Sequence, residues 1–490
     1  MKLIIIGAGP GGYETAVAAA QKGLEVTVIS DGPVGGTCLN EGCIPTKSFC
    51  RNAELMEDLA KASVFGVENL RYDFDFGKVT ARKDEVVARL RDGVEFLLGG
   101  KGITLLRGKA SFKDAHTVVV ASEDPAVDGT EVTGDAILIA TGSVSASLPI
   151  PGADLEGVIT SKEILELDAV PRRLCVIGAG VIGLEFASIF RSFGSEVSVV
   201  EYCKDILPRF DTDLAKRLKQ ALSKRGISIE TSARVQSVEK TDEGLKVTYL
   251  KKDKPVEIVA DKVLMAVGRR PNLASLNLAD VGIEFGPRGI VVDRKMRTNV
   301  PHIYAIGDIV GGYMLAHVAT FQGLKALAYM TGEISHIDLS IVPAAVFTYP
   351  EAATVGRTED ECKATGIPVK CLKSFFRANG KAVSMDEPEG FVKLIVAAEG
   401  TPATADPGPA AGASAEGPVV PGAIPDPPYG EIPPQPGQIL GCHLFGAHSA
   451  DIVQEIAALM NKRATLAEFQ AVIHAHPTLT EVLQSAAHSM

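Results

Sequence analysis

Two cysteines, Cys38 and Cys43, are the residues whose type and spacing most clearly indicate chemistry. They lie five positions apart in the segment of residues 35–47. A disulfide between them would close a short ring, so it would remove little entropy from the unfolded chain and add little stability. The alternatives are a static bridge or two buried thiols. A bridge so placed is better suited to opening and closing beside a redox cofactor.

The cysteines follow a strand, a glycine-rich turn and a helix that begin almost at the first residue. Apolar residues 3–6 predict a buried strand, Gly7, Gly9 and Gly12 fall in the turn, residues 13–23 predict a helix, and residues 25–29 predict a second strand. In this fingerprint the glycines permit a tight turn, close approach of a pyrophosphate, and packing of the helix on the strand. The phosphates then lie at a helix N-terminus.

The same pattern occurs a second time. Residues 174–177 predict a strand, Gly178, Gly180 and Gly183 fall in the turn, residues 184–193 predict a helix, and residues 196–200 predict the next strand. One match would be weak evidence, because a plain glycine-rich turn gives the same letters. Two matches in a full strand–turn–helix–strand context predict that the chain binds two dinucleotides.

The two copies differ at the end of their second strand. Glu201 lies 23 residues after Gly178. An acid at this point binds a ribose 2′-hydroxyl and repels a 2′-phosphate, so it favours NAD over NADP. Counting the same 23 residues from Gly7 leads to Ser30, and the next residue is Asp31. Both residues are therefore candidates for the ribose of the first dinucleotide.

Length and composition exclude several classes of protein. A chain of 490 residues has room for about three domains. Its net charge of −11 disfavours nucleic acid as a partner. Eight scattered cysteines do not form the disulfide framework of a small secreted protein. No apolar run reaches the roughly 18 residues of a membrane helix, and the first run is too short for a signal peptide. We therefore expect no membrane association and a cytoplasmic location.

Residues 35–47, taken with the two fingerprints, resemble the FAD-dependent pyridine nucleotide–disulfide oxidoreductases, and the resemblance spans nearly the whole chain. Residues 140–142 and 266–272 are similar to the family's crossover segments, 304–308 to its second FAD motif, and 474–481 to its C-terminal catalytic segment. Residues 44–47, 315–317 and 474–477 are most similar to the branch that oxidises dihydrolipoamide with NAD. The resemblance implies FAD and NAD as cofactors, and no metal site is predicted.

The resemblance also implies roles for the catalytic residues. Cys38 would be the sulfur that exchanges with substrate, and Cys43 the thiolate that faces the flavin. His476 would be the base that removes the proton of a substrate thiol, since histidine is the usual base near neutral pH. Glu481 would orient His476. His474 is assigned to packing or to the surface.

The residues expected to hold the cofactors come from the motifs and from the resemblance together. Lys47 is expected beside the flavin, paired with Glu185. The residues predicted for FAD are Gly7, Gly9, Gly12, Asp31, Gly36, Thr37, Lys47, Ala110, Gly142, Asp308 and Ala316. Those predicted for NAD are Gly178, Gly180, Gly183, Glu185, Glu201, Val235 and Gly268.

The predicted fold is α/β, with two Rossmann-like dinucleotide-binding domains and a C-terminal α+β dimerisation domain. The FAD-binding domain is expected at 1–145 and 270–340, the NAD-binding domain at 146–269, and the dimerisation domain at 341–490. Residues 401–437 are rich in proline, alanine and glycine and are interpreted as an insertion between two strands. This insertion is either a solvated excursion or a docking arm for other subunits of a complex.

The predicted activity is the NAD-dependent oxidation of protein-bound dihydrolipoamide by an obligate homodimer. The expected partner is the lipoyl domain of a 2-oxo acid dehydrogenase or glycine cleavage complex. Which complex is served stays open. Two alternatives remain: a reductase of another disulfide or of a metal ion, and a flavin-binding scaffold for assembly.

Overall fold

The computed structural model describes residues 1–398 and 434–489. Its strands are β1 (Lys2–Ile6), β2 (Glu25–Ser30), β3 (Ile103–Arg107), β4 (Lys109–Phe112), β5 (Thr117–Ala121), β6 (Thr130–Thr133), β7 (Ala136–Ile139), β8 (Ser143–Ser145), β9 (Val158–Ile159), β10 (Arg173–Ile177), β11 (Glu196–Val200), β12 (Ile227–Glu230), β13 (Ala233–Thr241), β14 (Gly244–Lys251), β15 (Lys254–Ala260), β16 (Lys262–Met265), β17 (Arg269–Pro271), β18 (Phe285–Gly286), β19 (Gly289–Ile290), β20 (Ile303–Ala305), β21 (Ala344–Val346), β22 (Ala352–Gly356), β23 (Val369–Phe375), β24 (Phe391–Ala397) and β25 (Ile439–Phe445). Its α-helices are α1 (Pro10–Gln21), α2 (Gly36–Glu41), α3 (Cys43–Ala60), α4 (Phe76–Leu98), α5 (Val181–Ser192), α6 (Thr212–Lys224), α7 (Ala316–Met330), α8 (Glu359–Ala364), α9 (Gly380–Ser384), α10 (Ser449–Asn461), α11 (Leu466–Gln470) and α12 (Glu481–His488).

The first glycine-rich turn follows the central strand of a parallel sheet with strand order β20-β7-β1-β2-β3. Residues 3–6 of β1 are almost fully buried. Burial on both faces is why this strand is a continuous apolar run, as is usual in parallel sheets covered by helices. Helix α1 begins at Pro10, three residues before the predicted start. Proline is well tolerated in the first turn of a helix, so the helix can begin inside the glycine-rich segment, at Pro10.

The second glycine-rich turn has the same setting. Strand β10 is the centre of a parallel sheet with the order β12-β11-β10-β16-β9, and it pairs with β11 and β16. Helix α5 begins at Val181, again three residues before the predicted start. The predicted repeat of one nucleotide-binding unit is therefore present in the fold.

The C-terminal part forms an antiparallel sheet with the order β21-β22-β25-β24-β23. Helices α10 and α12 pack against this sheet through a core that includes Val453, Ile456 and Leu483. Strands β24 and β25 are antiparallel neighbours, as the interpretation of an insertion between two strands requires. Most of the predicted insertion, residues 401–433, lies outside the described residues.

Smaller sheets complete the architecture: β13-β14-β15, β4-β5-β6, β17-β8 and β18-β19. The predicted fold class, two Rossmann-like units with a C-terminal α+β unit, is confirmed. The exact domain boundaries stay a prediction. Within the described residues, no helix has both the length and the apolar character needed to cross a membrane.

A buried ion network joins the second nucleotide-binding unit to the C-terminal sheet. Lys393 of β24 is 2% exposed in its side chain, and its Nζ lies 2.9 Å from Asp211, 3.1 Å from Asp213 and 2.7 Å from Glu359. Asp211 caps the N-terminus of α6 by accepting the N–H of Asp213. The network therefore fixes the start of α6 against the C-terminal sheet.

Candidate functional site

Both cysteines of the opening motif lie in helices, and the first of these helices starts beside the first glycine-rich turn. Cys38 is in α2 and Cys43 is the first residue of α3. The N–H of Gly35 donates to the Ala8 carbonyl at 2.7 Å. A Cβ atom on Gly36 would lie 2.7 Å from the Gly9 Cα. The helix that carries Cys38 is thus in direct contact with the turn.

The two thiols are unbridged and have unequal acidity. The hydrogen bond donated by the Cys38 thiol, helped by the charge of Lys47, lowers the pKa of Cys43 to about 7 against the opposing effect of burial. The same hydrogen bond, together with burial, raises the pKa of Cys38 far above its ordinary value. Cys43 is therefore the member of the pair that is a thiolate near neutral pH.

The structure brings Lys47 and Glu185 together. Lys47 Nζ lies 3.0 Å from Glu185 Oε1 and 2.9 Å from Oε2. Glu185 is 4% exposed, and its Oε1 also accepts the N–H of Phe347 at 2.9 Å. Burial acts to lower the pKa of Lys47, but the Glu185 carboxylate, together with Cys50 and Cys43, outweighs it and the pKa is raised. A permanent positive charge is thus held beside Cys43.

The glycines of the two turns have distinct spatial roles. Gly7 and Gly178 have φ values of 109° and 107°, which side chains rarely adopt. A Cβ on Gly12 or Gly183 would collide with the carbonyl of Gly7 or Gly178 respectively.

The middle glycines differ from these four. Among the described residues, apart from its neighbours in the chain, no atom lies within 4 Å of the position that a Cβ would take on Gly9 or Gly180. Space kept clear at a helix N-terminus fits a pyrophosphate. Both turns therefore have the shape of a dinucleotide site.

Glu201 is buried directly after the end of β11, beside the second turn, which follows the neighbouring strand β10. Its carboxylate accepts the N–H of Ala179 and the N–H of Cys203, each at 2.6 Å. These two bonds fix the carboxylate beside the second turn.

At the corresponding end of β2, Ser30 is buried and its hydroxyl donates to the Gly32 carbonyl at 2.9 Å. Asp31 is exposed and forms no hydrogen bond with any described residue. Of the two candidates for the first ribose, the geometry favours Asp31.

Asp308 lies in a polar cluster whose hydrogen bonds the sequence motifs do not predict. It accepts a hydrogen bond from the Ser143 hydroxyl, and Arg269 Nε lies 2.7 Å from that same hydroxyl oxygen. Burial raises the pKa of Asp308, against the opposing effects of Ser143 and Arg269. In the sequence, the only indication of these partners is their position: Ser143 directly follows one crossover segment, and Arg269 lies in the other.

One cleft of about 2820 Å³ joins most of the predicted residues. The predicted residues that line it are Gly7, Gly9, Asp31, Gly36, Thr37, Cys38, Cys43, Lys47, Ala110, Gly142, Gly178, Gly180, Glu185, Glu201, Val235, Gly268, Asp308 and Ala316. Gly12 and Gly183 do not line it, in agreement with their packing role. His476 and Glu481 do not line it either.

His476 and Glu481 form a pair of their own on the C-terminal unit. His476 Nδ1 lies 2.9 Å from Glu481 Oε1, and the N–H of Thr478 donates to Glu481 Oε2 at 2.7 Å. The Thr478 N–H and then His476 lower the pKa of Glu481. The His476 side chain is 80% exposed. His474, in contrast, packs against Phe469 and lies 2.9 Å from Glu455 Oε1.

Comparison with known proteins identifies the family. The profile described as "Pyridine nucleotide-disulphide oxidoreductase" matches residues 1–323. The chain belongs to this family. The profile of the family's dimerisation domain matches residues 342–402 and 433–487. Pyridine nucleotide–disulfide oxidoreductases of this type use FAD and NAD. Two dinucleotides agree with the open space at Gly9 and at Gly180. The dimerisation domain supports a homodimer.

Members of the family with similar sequences are named dihydrolipoyl dehydrogenase. The protein of that name from Bacillus subtilis is 35% identical over 489 residues, which are 99% of this chain and 98% of the relative. The one from Staphylococcus aureus is 37% identical over 486 residues, covering 99% and 95%.

Solved structures of the family have the same fold. LpdA from Mycobacterium tuberculosis superposes with a TM-score of 0.84 at 28% identity, covering 99% of each chain. The HOCl-induced flavoprotein disulfide reductase RclA from Escherichia coli superposes with a TM-score of 0.80 at 27% identity, again covering 99% of each chain.

Proposed function

We propose that this protein oxidises protein-bound dihydrolipoamide to lipoamide and transfers the electrons to NAD. The observation that carries the proposal is the unequal pair of Cys38 and Cys43, in one cleft with two dinucleotide-shaped turns. Sequence relatives over nearly the whole length carry the matching name.

The first chemical step is thiol–disulfide exchange at Cys38. One substrate thiolate forms a bond to the Cys38 sulfur, and the Cys38–Cys43 bond breaks with its electron pair going to Cys43. A thiol of low pKa is a good leaving group, and the positive charge of Lys47, which lowers the pKa of Cys43, favours this direction while Cys38 is bonded to the substrate sulfur. The second substrate thiolate then displaces Cys38. The products are the oxidised substrate and a reduced cysteine pair.

The substrate enters as thiols, so a base must take their protons. We assign this role to His476, oriented by Glu481 across 2.9 Å. The high pKa of Cys38 means that Cys38 itself takes up a proton when it is released. Lys47, held by Glu185, stabilises the negative charge that remains on Cys43.

The remaining cleft residues would hold the two cofactors. The chemistry that FAD would supply there is acceptance of the electron pair of the cysteines and its transfer to NAD as a hydride. The first turn, with Gly9 and Asp31, would hold FAD, together with Asp308. The second turn, with Gly180 and Glu201, would hold NAD. A buried carboxylate at Glu201 disfavours the 2′-phosphate of NADP.

The proposed partner is the lipoyl domain of a 2-oxo acid dehydrogenase or glycine cleavage complex. This partner follows from the proposed substrate, and the relatives' names support it. A cytoplasmic location stays a prediction.

Steady-state rates with alternative substrates test the proposal. We expect rapid NAD reduction with dihydrolipoamide, little with NADP, and loss of turnover in Cys43→Ser. Efficient reduction of glutathione disulfide with NADPH would contradict the proposed substrate. Full biological function in Cys43→Ser would instead support the scaffold alternative.

A further inference from the structure

A second, smaller pocket lies between helix α6 and the C-terminal sheet. It encloses about 230 Å³, and its lining includes Arg217, Lys224, Phe375, Arg377 and Glu389. None of its lining residues belongs to the nucleotide cleft. The pocket is therefore separate from the site of the proposed reaction.

Two guanidinium groups in this pocket share one aromatic ring. The guanidinium carbon of Arg217 lies 5.6 Å from the centre of the Phe375 ring, and that of Arg377 lies 4.8 Å from it. Arg217 is also 5.1 Å from the centre of the Phe391 ring. Contacts of this kind hold a cation in place and leave its N–H groups available for a ligand.

The two arginines have no counter-ion among the described residues. The exposed side chains of both arginines form no ion pair or hydrogen bond with a described residue. Lys224 is the third cation of the pocket, and it pairs with the single lining carboxylate, Glu389, at 3.0 Å. An uncompensated positive pocket on a chain of net charge −11 indicates an anionic ligand.

We propose that this pocket binds the phosphate group of a small molecule. A guanidinium presents paired N–H donors that match phosphate oxygens, and two such groups line this one pocket, each against the Phe375 ring. The pocket is smaller than the roughly 300–1,000 Å³ of a site for a drug-sized ligand. It therefore suits inorganic phosphate or a short phosphate ester, and not a dinucleotide.

Calorimetric titration of the FAD-loaded dimer, with NAD at saturation to occupy the nucleotide cleft, tests the proposal. The probes are inorganic phosphate, glycerol 3-phosphate, and glycerol as the uncharged reference. We expect saturable binding of a phosphate probe and none of glycerol. In Arg217→Gln/Arg377→Gln the binding should weaken by about tenfold or more, which is roughly 1.4 kcal/mol.

The matched control is Lys216→Gln/Lys381→Gln, which removes the same charge from exposed neighbours outside the pocket. Its binding should equal that of the wild type. Arg377→Gln alone, at an exposed position of a short 3-10 helix, gives a second test if the double variant folds poorly. Tighter binding of glycerol 3-phosphate than of inorganic phosphate would identify an ester as the ligand, and the reverse would identify the free ion.

Three outcomes would overturn the proposal: no saturable binding of either phosphate probe at millimolar concentration, equal binding by the wild type and Arg217→Gln/Arg377→Gln, or binding of an acidic peptide without binding of phosphate. The readout is binding and not turnover. Its result is therefore independent of whether dihydrolipoamide is the substrate.

Discussion

The thiols of Cys38 and Cys43 differ in pKa because the Cys38 thiol donates a hydrogen bond to Cys43. Cys38 donates its proton towards Cys43, and Lys47 adds a positive charge to the same side. The difference arises from the protein itself, before any cofactor contributes. Among the described residues, Cys43 is the one cysteine whose pKa is lowered.

The thiolate of the reduced protein should titrate near neutral pH. We expect the ultraviolet thiolate absorbance of the wild type minus that of Cys43→Ser to rise with a midpoint close to pH 7. In Cys38→Ala the midpoint should move upwards, because the hydrogen bond that lowers the pKa of Cys43 is lost. An unchanged midpoint in Cys38→Ala would contradict this cause.

Cofactor selectivity should depend on Glu201. Replacement by serine removes the carboxylate that would repel a 2′-phosphate, so we expect the preference for NAD over NADP to fall by about tenfold, or roughly 1.4 kcal/mol. The measurement is the ratio of kcat/KM for the two nucleotides. The control is Glu196→Ser, an exposed acid at the start of the same strand. The same fall in the control would assign the effect to overall charge.

Residue type and spacing were enough to find the cysteines, the glycines and Glu201, since each lies within a local motif. The contacts of Ser143, Arg269 and Phe347 could not be predicted in this way. Ser143 meets Asp308 across 165 positions of chain, Arg269 meets Ser143 across 126, and Phe347 meets Glu185 across 162. Contacts of this range depend on how the sheets and helices pack, and no local pattern encodes that.

At the scale of elements, helix α6 is attached to strand β24 through the buried Lys393. Lys393→Met leaves Asp211, 1% exposed, without its cation. We expect the free energy of unfolding to fall by about 3–5 kcal/mol, as is typical when one partner of a buried pair is removed.

The control for this variant is Lys113→Met, which removes an exposed ion pair of 2.6 Å. Its effect should be about 0–1 kcal/mol. Chemical denaturation of both variants gives the comparison. Equal losses of unfolding free energy in the two variants would show that the buried Lys393 ion pair stabilises the protein no more than an exposed pair does.

The same network predicts acid sensitivity. Hydrogen bonds from Lys373 and Lys393 lower the pKa of Asp213 to about 2, and those from Lys363 and Lys393 lower that of Glu359 to about 2. Both values lie below those of an unfolded chain, which are roughly 4. The stabilisation is therefore present above about pH 4 and is lost as the pH falls towards 2.

Calorimetric melting temperatures across this pH range measure the effect. The melting temperature of the wild type should fall more steeply with acid than that of Lys393→Met, because the variant has less of the stabilisation to lose. Parallel curves for the two proteins would contradict the assignment.

Secondary structure was predicted well in the strands and less well at helix starts. Strand β11 has the predicted bounds, because its alternation of burial follows directly from its residues. Helices α1 and α5 each begin three residues early. The sequence pattern assigns Gly12 and Gly183 to a loop, yet each lies in the first helical turn, packed against the carbonyl of Gly7 or Gly178.

For the whole molecule, His476 and Glu481 lie outside the cleft of their own chain, and we therefore expect that two chains of a homodimer complete one site. Mixed dimers test this. Cys43→Ser and His476→Gln should each be inactive alone. Random mixing of the two chains in a twofold dimer should restore about a quarter of the wild-type activity, because half of the dimers contain one complete site.

The measurement is turnover of dihydrolipoamide after joint refolding or co-expression. The control is a mixture of Cys43→Ser with Cys38→Ser, which damages the same cleft in both chains and should stay inactive. No recovery with His476→Gln would place the base in its own chain's site.

The contact between Gly36 and Gly9, with the hydrogen bond from Gly35 to Ala8, has a consequence for how far the parts can separate. The turn shaped for a phosphate and the helix that carries Cys38 share backbone contact. Neither can shift along the cleft without the other. The distance from the phosphate position to the helix that carries Cys38 is therefore fixed by backbone contacts. Side-chain motion cannot change this distance.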